Sequence, residues 1–351
     1  MQETTLGRSD VIVSDVCLGT MTFGHQTPPE VAFAQMDRAL EAGITFFDCA
    51  EVYPVPSRPE TFGRSEQIIG DWLRRSGQRD RVRIATKVSG PNGAVRGGVG
   101  YDGTILRAAL DDSLARLGTD RVDLYQLHTP MRGGYAFRRN WGFDPSPIDP
   151  AAVQAHMEDV VGTVSDLIRQ GKLRAFGVSN ETTWGLLRWI DTAERIGGAR
   201  VSAIQNEYSL MDRKFDTDLA EAACCEGVTL LGYSPLAAGL LTGKYQGDAL
   251  PVDSRAAYAQ SKGEAPLLGG RRIPSAEAAV AAWLALAAEE GLDPIHLAIA
   301  FTRQRPFHSI PIVGATTAEQ LDHIIAGLDL RLTPDQLARI ETIHRRFPMP
   351  F

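Results

Sequence analysis

Four polar side chains interrupt apolar stretches of this sequence at places where strands would end. Asp48 follows Ile44, Thr45, Phe46 and Phe47, Lys87 closes the run from Arg83, His128 closes the run from Leu124, and Tyr53 stands shortly after Asp48. Side chains alternate between the faces of a strand, so Ile44, Phe46 and Asp48 share one face, as do Leu124, Gln126 and His128. A single lysine or histidine at a strand end is usually solvated or hydrogen-bonded. Together, a phenol, an ammonium, a carboxylate and an imidazole suit proton transfer to a carbonyl oxygen whose carbon accepts a hydride. A phenol titrates near ~10 and is a weak acid at neutral pH unless a cation favours its ionised form. Lys87 is the candidate cation and Asp48 its charge partner. His128 is a hydrogen-bond donor to the carbonyl, and Tyr53 is the general acid in reduction and the general base in oxidation.

No side chain donates hydride, so this chemistry needs a cofactor. The later strand ends carry groups suited to one. Ser179, Asn180 and Gln205 offer donors and acceptors to a carboxamide, and Tyr233 offers a flat face to a nicotinamide ring. Each has a plain alternative as a cap or turn residue. The run from Gly314 to Thr317, with Thr316 within it, precedes a helix beginning near Ala318 and forms a candidate anion site of backbone amides and hydroxyls. Lys244 and Arg255 could add positive charge there.

Those positions require a scaffold that brings strand ends together. Apolar runs of strand length lie at 16–19, 44–48, 82–86, 122–127, 175–178, 203–205, 229–232 and 310–313. Amphipathic runs of helix length lie at 29–42, 65–75, 104–117, 151–170, 183–195, 216–226, 275–290 and 333–345. Ser275 and Thr333 read as helix starts, and Gly118, Gly171, Gly227 and Gly291 as helix stops. Eight strand–helix units without a polar linker predict a single α/β domain over 1–351, a closed (β/α)8 TIM barrel. An open doubly wound sheet would carry a Gly-rich turn after its first strand, and none follows Val16 to Met21. The long connections 54–63, 129–150 and 234–274 all follow strands and so fall on the C-terminal face. Of these, 135–143, with Tyr135, Phe137, Trp141 and Phe143, suits a substrate-covering loop or, equally, a surface loop pinned by its aromatics. Met21, Phe23 and Trp141 are candidate pocket walls for an apolar or aromatic carbonyl.

The chain has 351 residues, 44% of them hydrophobic and 23% charged, with a net charge of −7. That balance is ordinary for a soluble protein and argues against nucleic acid or an anionic membrane as partner. The N-terminal stretch lacks an apolar signal core, and no apolar run reaches the ~18 residues of a membrane span, so a cytoplasmic location is expected. Cys17, Cys49, Cys224 and Cys225 have no zinc-ligand spacing, and Cys17 and Cys49 sit in apolar runs as small buried residues.

On these residues the chain resembles the aldo-keto reductase superfamily along nearly its whole length, in particular its bacterial Tas-like branch, related to the potassium-channel β subunits. Asp48-Cys-Ala-Glu-Val-Tyr53 matches the family pattern Asp-x-Ala-x-x-Tyr, and the stretch from Pro54 to Glu60 is similar to the extension of that branch. The runs Val122 to His128, Gly177 to Asn180, Gln205 to Tyr208, Tyr233 to Leu236 and Leu241 to Tyr245 match in order. The resemblance implies a β-hairpin cap from about residue 3 to 13, the tetrad Asp48, Tyr53, Lys87 and His128, and a cofactor bound without a Rossmann domain. It further implies NADPH/NADP+ in preference to NADH, with Thr316 and Gln320 fitting a Ser/Thr–Gln pattern. Gly314 or Gln320 stands where many relatives carry a basic residue, and Ile324 where a family asparagine stands. Further cofactor contacts are expected at Gly19, Thr20, Met21, Ser234, Pro235, Leu236 and Gly239. The expected activity is reduction of small aldehydes or ketones to alcohols. Two alternatives stand beside it. One is a cofactor-binding regulatory subunit with weak or vestigial reductase activity; the other is a barrel hydrolase built on Asp48, Glu51 and His128.

Overall fold

Strands that run parallel and are covered on both faces must be apolar in both directions, and a ring of them closes only if each is followed by a helix that returns the chain. The structure, a computed structural model, describes residues 1–91, 95–247, 249–252, 254–263 and 267–351. Positions 248, 253 and 264–266 of the expected 234–274 connection therefore lie outside the described residues. Strands β1 (Glu3–Thr5) and β2 (Ile12–Ser14) form an antiparallel hairpin. Next come β3 (Cys17–Gly19), β4 (Phe46–Asp48), β5 (Arg83–Val88), β6 (Val122–Leu127), β7 (Leu173–Ser179), β8 (Val201–Glu207), β9 (Thr229–Tyr233) and β10 (Ser309–Val313). These eight form a closed parallel barrel in the order β10-β3-β4-β5-β6-β7-β8-β9.

Period-two alternation divides the apolar side chains. Leu18, Phe47, Ile84, Tyr125, Phe176, Ile204, Leu230 and Val313 face outward into the core shared with the helices. Cys17, Phe46, Ala85, Leu124, Ala175, Ala203, Leu231 and Ile310 face inward and pack with Leu6, Val11 and Val13 of the hairpin, which plugs the N-terminal end. The interior is thus a packed floor. Truncating a fully buried member such as Phe46 to alanine would cost about 3–5 kcal/mol. Ile44 departs from expectation: it precedes β4 and packs in the outer core, because the strand begins at Phe46.

The helices are α1 (Pro29–Glu41), α2 (Arg64–Ser76), α3 (Gly103–Leu117), α4 (Pro150–Arg169), α5 (Thr183–Ile196), α6 (Asp218–Glu226), α7 (Arg255–Ser261), α8 (Pro274–Glu289), α9 (Pro294–Arg303), α10 (Ala318–Ala326) and α11 (Pro334–Arg346). Thr333 caps α11 in a reciprocal box with Gln336. Ser275 does not start α8; it lies inside the helix and its hydroxyl donates to the carbonyl of Pro350. Gly118 and Gly227 end α3 and α6 with left-handed φ of 63° and 61°. Two helices, α7 and α9, lie between β9 and β10 beyond the one expected there. No helix among the described residues is long and apolar enough to cross a membrane. Cys17 and Cys49 are buried, Cys224 and Cys225 exposed, and all four are free thiols.

Candidate active site

Two residues beyond the apolar floor, the inward row turns polar: Asp48 on β4, Lys87 on β5, Gln126 on β6, Gln205 on β8 and Tyr233 on β9. Strand pairing aligns Lys87 with Gln126, so these side chains meet near the barrel axis. The Lys87 Nζ donates to Asp48 Oδ2 at 2.6 Å, to the carbonyl of Cys49 at 2.8 Å and to Tyr53 Oη at 3.3 Å. Asp48 Oδ1 accepts from Gln205 Nε2 at 2.9 Å and Gln126 Nε2 at 3.1 Å. Lys87 is 0% exposed and Asp48 2%, so their charges are taken out of water and held by each other. Burial alone would lower the Lys87 pKa, but Asp48 and Tyr53 outweigh it and hold the group above its ordinary value, charged at any working pH.

Tyr53 stands over this pair on the loop after β4. The loop is fixed by bonds from Glu51 N to the Lys87 carbonyl and from Val55 N to the Met21 carbonyl. The Glu51 carboxylate accepts from Ser89 N and, bidentately, from Arg96, so it is committed to holding the loop and not to the hydrolytic role considered above. The imidazole of His128 lies edge-on to the Tyr53 ring, with centroids 5.6 Å apart. Burial pushes the Tyr53 phenol up, and Lys87 offsets this only in part, so its net shift is upward. Lys87 acts in the expected sense, but desolvation of a phenolate wins. Burial, reinforced by the Lys87 charge, pushes His128 down to about 3, which leaves the ring neutral.

The groups expected to grip a carboxamide are largely bonded to one another. Ser179 Oγ donates to the Gln205 main-chain carbonyl, and Asn180 Nδ2 donates to the His128 main-chain carbonyl and to Ser179 Oγ. Tyr233 Oη donates to Asn180 Oδ1 at 2.8 Å, which fixes the ring orientation at the mouth. Gln205 spends both amide hydrogens on Asp48 and Gln126, leaving its carbonyl as what it can offer a ligand. Thr20 is fully buried; its hydroxyl bonds the Asp48 carbonyl and Ser65, so its side chain is structural and not a cofactor contact. Gly19 and Met21 lie half-buried at the rim, Met21 packing beside Tyr53.

Ser234, Pro235 and Leu236 follow β9 directly, Ser234 with a positive φ of 57°. Gly239 has φ 95°, and a Cβ there would come within 3.7 Å of the Lys244 Nζ, which stands over the Tyr245 ring. Arg255 opens α7. At the end of β10, Gly314 is exposed and Thr317 caps α10. The Thr316 amide and hydroxyl both donate to Gln320 Oε1, at 3.0 and 3.1 Å. Two donors thus converge on one acceptor at a helix N-terminus, the arrangement an anionic oxygen would take over. With the flat face of Tyr233, this donor set fits a nicotinamide dinucleotide.

Sequence reading missed two residues here. Gln126 was noted only for its parity, and it is a direct partner of Asp48. Glu207, the last residue of β8, accepts from Arg138 of the 129–150 loop at 3.2 Å and from Arg271 of the 234–274 connection at 2.7 Å. One buried carboxylate thereby ties two long loops across the mouth. A second tie joins Arg132 to Glu181. Phe137 and Arg138 both have left-handed φ, 58° and 62°, where the loop turns down toward Glu207. Of the expected pocket walls, Phe23 is fully buried in the outer core and Trp141 is 88% exposed, so only Met21 stays beside the site. Their aromatic character carried no information about which way they point.

The model of the Aldo/keto reductase family matches residues 15–345. The chain is 40% identical to "Protein tas" of Escherichia coli (strain K12), covering 100% of this chain and 99% of that protein. It is 32% identical to "Uncharacterized oxidoreductase YrpG" of Bacillus subtilis (strain 168), covering 100% and 97%. It is 30% identical to a "Probable voltage-gated potassium channel subunit beta" of Oryza sativa subsp. japonica, covering 99% and 98%. Matched from end to end by relatives of this kind, the chain belongs to the aldo/keto reductase family, which supports a general oxidoreductase role and generally uses nicotinamide cofactors.

Proposed function

We propose that residues 1–351 act as one reductase domain that converts small aldehydes or ketones to alcohols with NADP(H), in the cytoplasm. The observation that carries this reading is the contact of the buried Lys87 ammonium with both the Asp48 carboxylate and the Tyr53 phenol. A bound nicotinamide supplies the hydride. The phenol, with its pKa held up by burial, keeps its proton at neutral pH and gives it from Oη to the carbonyl oxygen as that oxygen gains charge. Lys87 then stabilises the phenolate left behind, and Asp48 keeps Lys87 in place. Neutral His128 donates a hydrogen bond to the carbonyl and orients it. Tyr233, Gln205 and the Thr316–Gln320 pair would hold the cofactor, with Lys244 favouring its phosphates.

Oxidation of NADPH and NADH measured against a panel of small aldehydes and ketones tests this reading. Turnover is expected with NADPH preferred, and Tyr53→Phe should lower kcat by about 10²–10⁴-fold. Near-full turnover by that variant would refute the assignment of Tyr53. Similarity to the rice channel subunit supports a second reading, a cofactor-binding regulatory subunit; tight NADPH binding without turnover on any carbonyl would favour it.

A further inference from the structure

We infer that Asp293, His296 and His323 form a binding site for Zn2+ on the flank of the barrel. The site is remote in sequence from the tetrad, and it does not depend on the reductase reading.

Asp293 caps α9, His296 lies in the first turn of the same helix, and His323 lies in the last turn of α10. One carboxylate oxygen and one nitrogen from each imidazole lie within 4.8 Å of one another. Two imidazoles and a carboxylate are a donor set for zinc-class ions and a poor one for Mg2+ or Ca2+, which take oxygen ligands. The donors are also oriented. Asp293 Oδ1 is occupied by the amides of Ile295 and His296, which turns Oδ2 toward His323 Nε2 at 2.9 Å.

His296 Nε2 lies 2.7 Å from the His323 carbonyl oxygen. A carbonyl only accepts, so this nitrogen carries the hydrogen and Nδ1 keeps a lone pair. Metal-binding imidazoles are typically held this way, with the nitrogen away from the ion bonded to a carbonyl or carboxylate. A second observation comes from Gly327, just after α10. Its φ of −98° is open to any residue, so the backbone does not call for glycine. A Cβ there would lie 2.1 Å from Cγ and Cδ2 of His296. What glycine provides is room for the imidazole against the end of α10.

Neighbouring donors around a tetrahedral Zn2+ stand about 3.4 Å apart for ligand bonds of about 2.0–2.1 Å. An ion replacing the proton shared by Asp293 and His323 therefore spreads that pair by about half an ångström, and His296 closes on it by a shift that keeps its Nε2 bond to the His323 carbonyl. Water completes the coordination. Occupancy would staple α9 to α10 across β10, whose following turn leads to Thr316 and Gln320.

The test uses the full-length chain, untagged and stripped with chelator, at pH 7.5. Calorimetric titration with ZnCl2 is expected to give one ion per chain, and Co2+ in its place the visible absorption of a four-coordinate centre. A hundredfold excess of Zn2+ over its Kd should raise Tm by about 3–4 °C. His323→Ala changes a half-exposed side chain, and Asp293→Asn keeps a capping oxygen, so both should fold, as judged by circular dichroism. Each is expected to weaken Zn2+ binding at least tenfold and abolish the Tm shift. Gly327→Ala should do the same by displacing His296, whereas His344→Ala should change neither readout. Failure of the parent chain to bind Zn2+, or unchanged binding in His323→Ala and Asp293→Asn, would overturn the proposal.

Discussion

Replacing Lys87 by methionine keeps most of the side chain and removes its charge, which tests the electrostatic part of the proposed chemistry. At the 3.3 Å separation between Nζ and the phenol oxygen, an ammonium favours a phenolate by about 5 kcal/mol at an effective dielectric constant of about 20. That corresponds to roughly 3 to 4 pKa units. If the proton is about half transferred in the transition state, kcat for carbonyl reduction should fall about 30- to 100-fold. The substitution also strands Asp48 without its partner in a site 2% exposed, and breaking a buried pair from one side costs about 3–5 kcal/mol. Loss of rate and loss of stability therefore arrive together. The double variant Asp48→Asn with Lys87→Met separates them. Its asparagine carbonyl still accepts from Gln126 and Gln205, and no charge is left stranded. Urea denaturation should show stability recovering toward the parent, while steady-state reduction stays as slow as in Lys87→Met. Reduction by the single variant within tenfold of the parent would refute the electrostatic reasoning. Recovery of rate along with stability in the double variant would show that the lysine serves only to neutralise Asp48.

The low pKa of His128, about 3, has two consequences. The unfolded chain takes up a proton on this ring as pH falls below about 6.5 while the folded chain does not, so this contribution to stability is complete above about 6.5 and lost progressively toward 3. Acidification through that window should lower Tm less in His128→Gln than in the parent. The pH profile of kcat/KM should show no inflection from this imidazole between about pH 5 and 8. Glu207→Gln should loosen both mouth loops at once, because Arg138 and Arg271 share the one carboxylate. Hydrogen exchange should quicken in 129–150 and in the described part of 234–274 together, and NADPH should dissociate roughly tenfold to a hundredfold faster, given the strength of charged hydrogen bonds. Faster exchange in one loop alone would refute the shared tie. Gly70→Ala, a change that gains about 1 kcal/mol in an exposed helix, should instead destabilise by about 1–3 kcal/mol. A Cβ at Gly70 would stand 2.5 Å from the carbonyl oxygen of Arg116, forcing α2 from α3; a higher midpoint in urea would contradict that close approach.

The barrel and the polar strand ends were legible because they follow from local rules, whereas the N-terminal hairpin was read from the family resemblance. A parallel strand buried on both faces is a short apolar run, and counting by twos from its inward residues reaches Asp48, Lys87 and His128. Helix stops were legible for the same reason, since a left-handed residue at the end of a helix favours glycine. Where local rules gave out, the cause was competition between signals of the same kind. Asp293 followed by Pro294 is as good a helix start as Thr333 followed by Pro334, yet α9 went unread because its apolar run lies close behind α8 and reads as the approach to a strand. Ser275 has the chemistry of a cap, but its hydroxyl goes to the carbonyl of Pro350, a partner supplied by the far end of the chain.

The polar layer above the floor obeys parity but needs closure to acquire meaning. Gln126 and Gln205 reach one oxygen of Asp48 from 78 and 157 residues away, and only a ring of strands brings those distances to 2.9–3.1 Å. Glu207 shows the same limit more sharply. Its place at the end of β8 aims it inward, and an unpaired inward carboxylate would be costly, so partners must exist. The sequence offers many arginines for that role. Arg138 and Arg271, 69 and 64 residues away on either side, become its partners because the loops that carry them meet over the same mouth. The charge requirement was local and its solution was not, so a residue coupling the loops over the expected cofactor groove could be found only after the barrel had closed.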